Sequence, residues 1–486
     1  MTLAHKAARG ALWTIVSSMG GRAVGLIGTV LITRFLHPKD MGEVATATII
    51  AMVANWVSIW GFGQYAVVKG RGPDANEATW HATLGYLVVG AFALGLVALF
   101  GGRIMPLINA AEAAPYVPGM ALALYIRRIG AIPERVLTRQ MNFRASGLAL
   151  AFGEMVYTVA ALAMAAGGLG GWAIVIANII QSCAVVAIIC LAAGKAAWTP
   201  TRIRAERIKD MLRYGLPLGI QNMAAQAARY LDRPVVSYFF DPTAVGVYGL
   251  AYSVADVPAI QVGEQIALVL MPSMAELPHE RRAAALERSS ALLSLIIFPL
   301  AVGLGLVAYP LISLVLPHNE WQEVAPLLSV LACLSVFRPI TWVLSAYFEA
   351  EAKTNRLMVL ELAKLALLLG GIALLSPFGL RVAAGAVGIA FGLTAVLGVI
   401  TVSREGPSTR RLLVGFLQPV AACAVMGLAV WASYRLLGIL GLDHPAIQLP
   451  VMIVSGAIAY IASALILARE TSRDLLQLLK KALKRS

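Results

Sequence analysis

Long apolar runs alternate along this chain with short polar or basic breaks, and about fourteen of the runs are long enough to cross a hydrocarbon core as helices. They fall near residues 11–35, 42–68, 79–100, 115–134, 145–166, 171–193, 212–238, 244–273, 290–316, 322–350, 356–376, 382–402, 411–435 and 447–468, numbered below as segments 1 to 14. The turn after segment 1, Phe35-Leu36-His37-Pro38-Lys39-Asp40-Met41-Gly42, keeps its Phe, Pro and Gly in register with Phe239-Phe240-Asp241-Pro242-Thr243-Ala244-Val245-Gly246 after segment 7. Tight turns favour Pro and Gly by themselves. The flanking segments align at the same offset, however, so the chain reads as a duplication. The offset spans six segments, which keeps both copies in one orientation and predicts a parallel repeat about an axis along the membrane normal. Such repeats point to transport, with a substrate site at their interface and access alternating by rocking of one half against the other.

The expected fold is an all-α polytopic membrane protein of about 14 transmembrane helices, in two pseudo-symmetric six-helix lobes plus two C-terminal helices. An N-lobe covers 1–193, and the basic, helix-breaking stretch 194–211 forms a cytoplasmic linker. A C-lobe covers 212–402, segments 13 and 14 occupy 403–468, and a tail runs over 469–486. The extra pair is either a partner-binding surface or scaffold. The tail opens on a capping-box pattern, Thr471-Ser472-Arg473-Asp474, and continues with leucines at helical spacing beside Lys480, Lys481, Lys484 and Arg485. It reads as a basic amphipathic helix on the anionic inner leaflet or as a plain cationic tail.

Composition agrees with the pattern: 59% of the residues are hydrophobic, 13% are charged, and the mean hydropathy is +0.79. No soluble domain could cover that much apolar surface. Segment 1 follows Lys6 and Arg9 and contains Arg22, which is too long and too charged for a secretory signal, so it is expected to stay attached. The net charge of +14 is placed for a membrane and not for nucleic acid. One set of connections carries only Lys39, Arg103 and Arg381, whereas the other holds clusters such as Arg127, Arg128, Arg135, Arg139 and Arg144, or Lys195 through Arg213. By the positive-inside rule both termini are cytoplasmic.

Charged groups persist within a bilayer mainly where they face a cavity or one another. In segment 7, Asn222, Gln226, Arg229 and Arg233 share one helical face. Asp232 beside them could pair with either arginine. At the repeat offset, Arg22 of segment 1 matches Gln226, so it faces the same cavity or snorkels to the cytoplasm. Segment 2 adds Asn55, Trp56, Trp60 and Gln64, whose indoles suit the C–H faces of sugars or plain packing. Segment 8 supplies Asp256, Gln261, Glu264 and Gln265 around the helix-kinking Pro258. Arg338-Pro339 lies in segment 10, and Glu361 and Lys364 in segment 11 can neutralise each other. Candidate substrate-binding residues are therefore Arg22, Asn55, Trp60, Asn222, Gln226, Arg229, Arg233 and Arg338, an inventory suited to phosphate and hydroxyls. Asp256 and Glu264 are candidate ligands for a coupling ion, H+ or Na+.

The chain carries no Walker loop, no metal-ligand spacing and no catalytic triad or dyad pattern. Cys183, Cys190, Cys333 and Cys423 lie in apolar segments, and the six histidines stand near segment ends. No cofactor is implied, and energy would come from an ion gradient, the membrane potential or the substrate's own gradient.

Three stretches carry a family resemblance. Arg34-Phe35-Leu36-His37-Pro38-Lys39-Asp40-Met41-Gly42 resembles the turn after the first helix of polysaccharide exporters, and Pro133 through Arg144 their loop after helix 4. Asp232, with Asp241-Pro242-Thr243-Ala244-Val245-Gly246-Val247-Tyr248-Gly249-Leu250-Ala251-Tyr252, is similar to their segment across helices 7 and 8. These are the Wzx-type oligosaccharide flippases of the multidrug/oligosaccharidyl-lipid/polysaccharide (MOP) superfamily. The resemblance implies a V-shaped pair of six-helix bundles in the bacterial inner membrane. Their cargo is an undecaprenyl-diphosphate-linked oligosaccharide for O-antigen, capsule or exopolysaccharide, held by arginines at the places of Arg22, Arg229 and Arg233. Membrane lipids, a polysaccharide polymerase and chain-length machinery would be partners. The competing readings are a cation-coupled multidrug or small-solute exporter and a membrane glycosyltransferase or polymerase. The latter would need an extracytoplasmic catalytic loop, and the outer connections are short and nearly uncharged.

Overall fold

The computed structural model describes residues 25–483 apart from 26, 70–74, 141, 259–273, 275–276, 317–320, 352 and 405. Arg22, Gln261, Glu264 and Gln265 lie outside the described residues, as do Lys484 and Arg485. Every regular element among the described residues is helical, and nine helical stretches there are long and apolar enough to span a bilayer. Large apolar side chains such as Val88, Phe92, Leu99, Leu374, Ile439 and Ile466 are exposed on their outer faces. The chain is thus an all-α, multi-pass membrane protein, which packs as two compact units, Met1–Gly246 and Val247–Ser486.

Unit 1 contains α1 (Pro38–Val57), α2 (Phe62–Lys69), α3 (Ala75–Ile104), α4 (Tyr116–Ile129), α5 (Ala131–Arg139), α6 (Phe143–Ala166), α7 (Trp172–Ala193), α8 (Ala205–Tyr230) and α9 (Asp232–Phe239). α10 (Pro242–Pro258) starts in it. Small residues let these helices approach closely, as lipid-embedded packing requires. Gly119 lies against Val175, and Gly153 against Val185. Proline at the first helical position, where the missing N–H costs nothing, starts both α1 and α10. His37 caps α1 in a capping box with Asp40, and the Asp241 carboxylate accepts the Ala244 N–H at 2.6 Å at the same place in the repeat.

Several expected helices are interrupted, and two of the breaks shape the site. Segment 2 stops at Val57 and resumes at Phe62 after Gly61, whose φ of 66° suits glycine. Segment 7 breaks at Leu231 because Pro234 has no N–H for the Tyr230 carbonyl. The stripe read as continuous from Asn222 to Arg233 therefore spans two helices.

Unit 2 holds the rest of α10 with α11 (His279–Leu306), α12 (Ala308–Val315), α13 (Val324–Leu334), α14 (Arg338–Ala350), α15 (Thr354–Leu375), α16 (Leu380–Ser403), α17 (Thr409–Ile439), α18 (Pro445–Leu467) and α19 (Arg469–Leu483). Its core joins Leu293, Ile297, Phe298, Val343, Tyr347, Phe416, Met426 and Tyr460. Pro299 inside α11 deprives the Leu295 carbonyl of its helical donor, and the Tyr460 hydroxyl of α18 donates to that carbonyl at 2.7 Å. The last two spans are thereby tied into the core of this unit. The tail helix begins at Arg469, two residues before the expected cap. Ser472 is buried and donates to the Ala464 carbonyl, while Asp474 pairs with Arg288 of α11 at 2.9 Å.

Candidate functional site

Each unit carries a cluster of polar and aromatic groups. In unit 1 they gather at the two helix breaks. The break after α1 leaves carbonyls without helical partners, and Arg128 from the last turn of α4 fills the gap. Its Nε donates to Asn55 Oδ1 at 2.8 Å, Nη2 to the Asn55 carbonyl at 2.7 Å, and Nη1 to the Tyr86 carbonyl at 3.2 Å. Ser58 Oγ accepts from Nη2 as well. Arg128 is 4% exposed, and Gly90 on α3 makes room for it: a methyl group there would lie 2.6 Å from Arg128 Cδ. Arg128 is therefore a clamp on irregular backbone, the arrangement that lipid-embedded irregular structure requires, and not a solvated loop charge.

On the far side of the same break, Trp60 presses its backbone onto α8. A methyl group at Gly219 would lie 2.8 Å from Trp60 Cα, and one at Gly215 would overlap the Trp60 carbonyl oxygen. Trp56 stacks on Tyr230 with centroids 5.5 Å apart, and the Arg233 guanidinium stands over the other end of this pair, 6.0 Å from the Tyr230 ring. Tyr230 is the last residue of α8 and Arg233 the second of α9, so the helix break itself sets the cation beside the aromatic pair. Gln226 and Arg233 are half-buried and Asp232 is buried. Asn222 and Arg229 lie on α8, but their side chains lie outside the described ones. Deeper in the unit, Glu154 of α6 accepts from Gln181 Nε2 of α7 at 2.9 Å and faces Gly25.

In unit 2, Arg338 opens α14 and pairs with Asp256 of α10, with Asp256 Oδ1 accepting from Nη1. Its guanidinium lies 5.0 Å from the Tyr252 ring and 4.9 Å from that of Phe391. Lys364 of α15 stands over the same Phe391 at 5.2 Å and pairs with Glu361 one turn before it. Two cations thus share one aromatic ring, and each is paired with a carboxylate, so their charges cancel. Arg338 Nε is buried with no acceptor among the described residues.

Of the residues expected at the site, Arg233 lies by the Trp56–Tyr230 pair, Gln226 is one helical turn before Tyr230 on α8, Asn55 is held by Arg128, Trp60 lies at the α1–α2 break, and Arg338 and Asp256 are ion-paired. The sequence reading had missed the roles of Arg128, Glu154, Tyr230, Tyr252 and Phe391. Pro234 and Gly61 were the signals for the breaks. Glu154, a lone acid in an apolar segment, was a signal of its own. At the start of α1 Lys39 pairs with Glu112, whose hydrogen bond raises the pKa of the ammonium and lowers that of the carboxyl.

Residues 31–326 match the family described as polysaccharide biosynthesis protein. The chain is 25% identical over 327 residues to the succinoglycan biosynthesis transport protein ExoT of Rhizobium meliloti (strain 1021), an alignment covering 66% of this chain and 64% of the relative. It is 22% identical over 415 residues to the lipopolysaccharide biosynthesis protein WzxC of Escherichia coli (strain K12), covering 83% and 80%. Among solved structures, the lipid II flippase MurJ in an inward closed conformation superposes with a TM-score of 0.76 at 14% identity, covering 94% of this chain and 99% of that one. An inward-facing MATE transporter of the MOP superfamily gives 0.67 at 15% identity, covering 82% and 99%. At these identities the two structures speak for the fold alone.

Proposed function

The chain belongs to the polysaccharide biosynthesis protein family, and on that premise we propose that it moves an undecaprenyl-diphosphate-linked oligosaccharide from the cytoplasmic to the outer leaflet of a bacterial inner membrane. The observation that carries this reading is the Trp56–Tyr230–Arg233 group at the break between α8 and α9. Aromatic faces suit the C–H sides of sugars, and a guanidinium presents paired donors to phosphate. Arg233 has no carboxylate partner within ion-pair distance among the described residues, whereas the cations of the unit 2 cluster are neutralised there. Arg22 and Arg229 would add to this positive side, with Asn55, Trp60, Asn222 and Gln226 around it. Transport by alternating access of two six-helix lobes, with both termini cytoplasmic, fits the repeat and the charge distribution.

Coupling would run through Asp256. Protonation there removes the counter-ion of buried Arg338, an uncompensated charge that the fold must relieve by moving. Na+ is the other candidate ion, and Glu264 the other candidate ligand. A polysaccharide polymerase and chain-length machinery would receive the product. The test is mass spectrometry of the polyprenyl-diphosphate pool from a strain lacking this protein. A complete repeat unit accumulating on its lipid is the expected outcome. An unchanged pool with new drug sensitivity would establish a cation-coupled exporter instead.

A further inference from the structure

At the end of unit 2 where α12 leads towards α13 and α15 meets α16, a cavity of about 350 Å³ is lined by Tyr309, Ser313, Trp321, Gln322, Glu323 and Arg381 among others. Both connections are ones that the charge distribution assigns to the outside. The volume lies within the range of roughly 300–1,000 Å³ usual for small-molecule sites. We propose that this cavity is a subsite for a neutral hexose, which receives a sugar of the translocated glycan on the extracytoplasmic side; the glycan's arrival there rests on the transport reading above.

Three observations choose this occupant. Trp321 is 1% exposed, and its buried indole N–H has no acceptor among the described residues, a donor that a native structure rarely leaves idle. A hydroxyl-rich ligand supplies such an acceptor. The charges, second, are spent on each other: Arg381 Nε donates to Glu323 Oε2 at 3.0 Å and Nη2 to Oε1 at 2.8 Å. A phosphate would need an unpaired cation, whereas this fork still offers outer lone pairs and N–H groups to neutral hydroxyls. Third, the walls combine the aromatic rings of Tyr309 and Trp321 with the amide of Gln322 and the hydroxyl of Ser313. A lipid chain would need none of these polar groups, and a pyranose, with an apolar face and a polar rim, uses both kinds.

The test uses the full chain in phosphatidylcholine nanodiscs and saturation-transfer NMR with D-glucose, D-galactose, D-glucuronate and inorganic phosphate as probes. The expected result is transfer to at least one of the two neutral hexoses, falling about fivefold in Trp321→Phe and in Gln322→Ala, the loss of roughly one hydrogen bond. Gln322 is exposed, so Gln322→Ala reads the site without disturbing the core. Arg103→Ala, an exposed change at the end of α3, should leave hexose transfer intact. No transfer to either hexose, equal transfer in Gln322→Ala, or stronger binding of phosphate overturns the proposal. Hexose binding here without accumulation of lipid-linked oligosaccharide in the null strain would keep the subsite and remove the transport reading; accumulation without hexose binding would do the reverse.

Discussion

Gly42 and Gly246 occupy equivalent places in the two copies of the repeated turn, and each lies against the first-turn backbone of the other's helix. A methyl group at Gly42 would overlap the Pro242 carbonyl oxygen, and one at Gly246 the Pro38 carbonyl oxygen. Neither neighbour is a flexible side chain that could swing away, so only glycine permits the crossing. Gly42→Ala and Gly246→Ala should each destabilise the protein by about 1–3 kcal/mol, the usual cost of overpacking. Gly95→Ala and Gly249→Ala meet open space within 4 Å and should not. Thermal unfolding of the four variants in one detergent checks this. Equal melting of all four would show that the α1–α10 crossing gives way cheaply.

Arg128 holds the break after α1 through several donors at fixed angles, which an ammonium cannot reproduce. Arg128→Lys should therefore lose more stability than a change that keeps the charge would suggest. The expected loss is on the order of 3 kcal/mol, because Asn55 Oδ1 and the carbonyls of Asn55 and Tyr86 each lose a charged donor in a buried site. Purified Arg128→Lys should melt well below the wild type, and Arg127→Lys, one residue earlier, should not. If both behave as wild type, water or a neighbour replaces the guanidinium.

The membrane-spanning segments and the repeated turn were legible because hydrophobic length and Pro/Gly punctuation are local signals. The clamp was not. Arg128 stands among Arg127, Arg135 and Arg139, and nothing within the segment distinguishes a cation that turns inward to mend a backbone break 70 residues away from one that faces the cytoplasm. Asp256 and Arg338 were both singled out as intramembrane charges, but their pairing joins positions 82 apart and has no periodicity to announce it. The stripe on segment 7 failed for a local reason. Pro234 follows Arg233 directly, so helical spacing could not be carried through Leu231.

The cationic side of unit 1 is open to a direct test. Arg233→Ala should abolish surface polysaccharide while leaving protein level unchanged, and Arg22→Ala and Arg229→Ala should do the same. Arg103, exposed at the end of α3 with its guanidinium 5.6 Å from the Phe100 ring, serves as the control, and Arg103→Ala should transport normally. Polysaccharide per cell, measured beside immunoblots of membrane fractions, reads the result. Equal loss from all four variants, or none from the first three, would remove the arginines from substrate handling.

The pairing of Asp256 with Arg338 separates a structural role from coupling. Asp256→Asn leaves a buried guanidinium without its carboxylate and should cost about 3–5 kcal/mol, as breaking one half of a buried pair does. Replacing both partners, as in Asp256→Asn with Arg338→Met, should recover most of that stability because no uncompensated charge remains. If the pair only holds α10 to α14, transport should return with stability in the double variant. If protonation of Asp256 drives the cycle, the double variant should be stable, inserted and inactive, and uptake of lipid-linked substrate into proteoliposomes should lose its response to an imposed pH gradient. The second outcome is the one expected, since Arg338 keeps an unused buried Nε, with the Tyr252 and Phe391 rings 5.0 and 4.9 Å from its guanidinium.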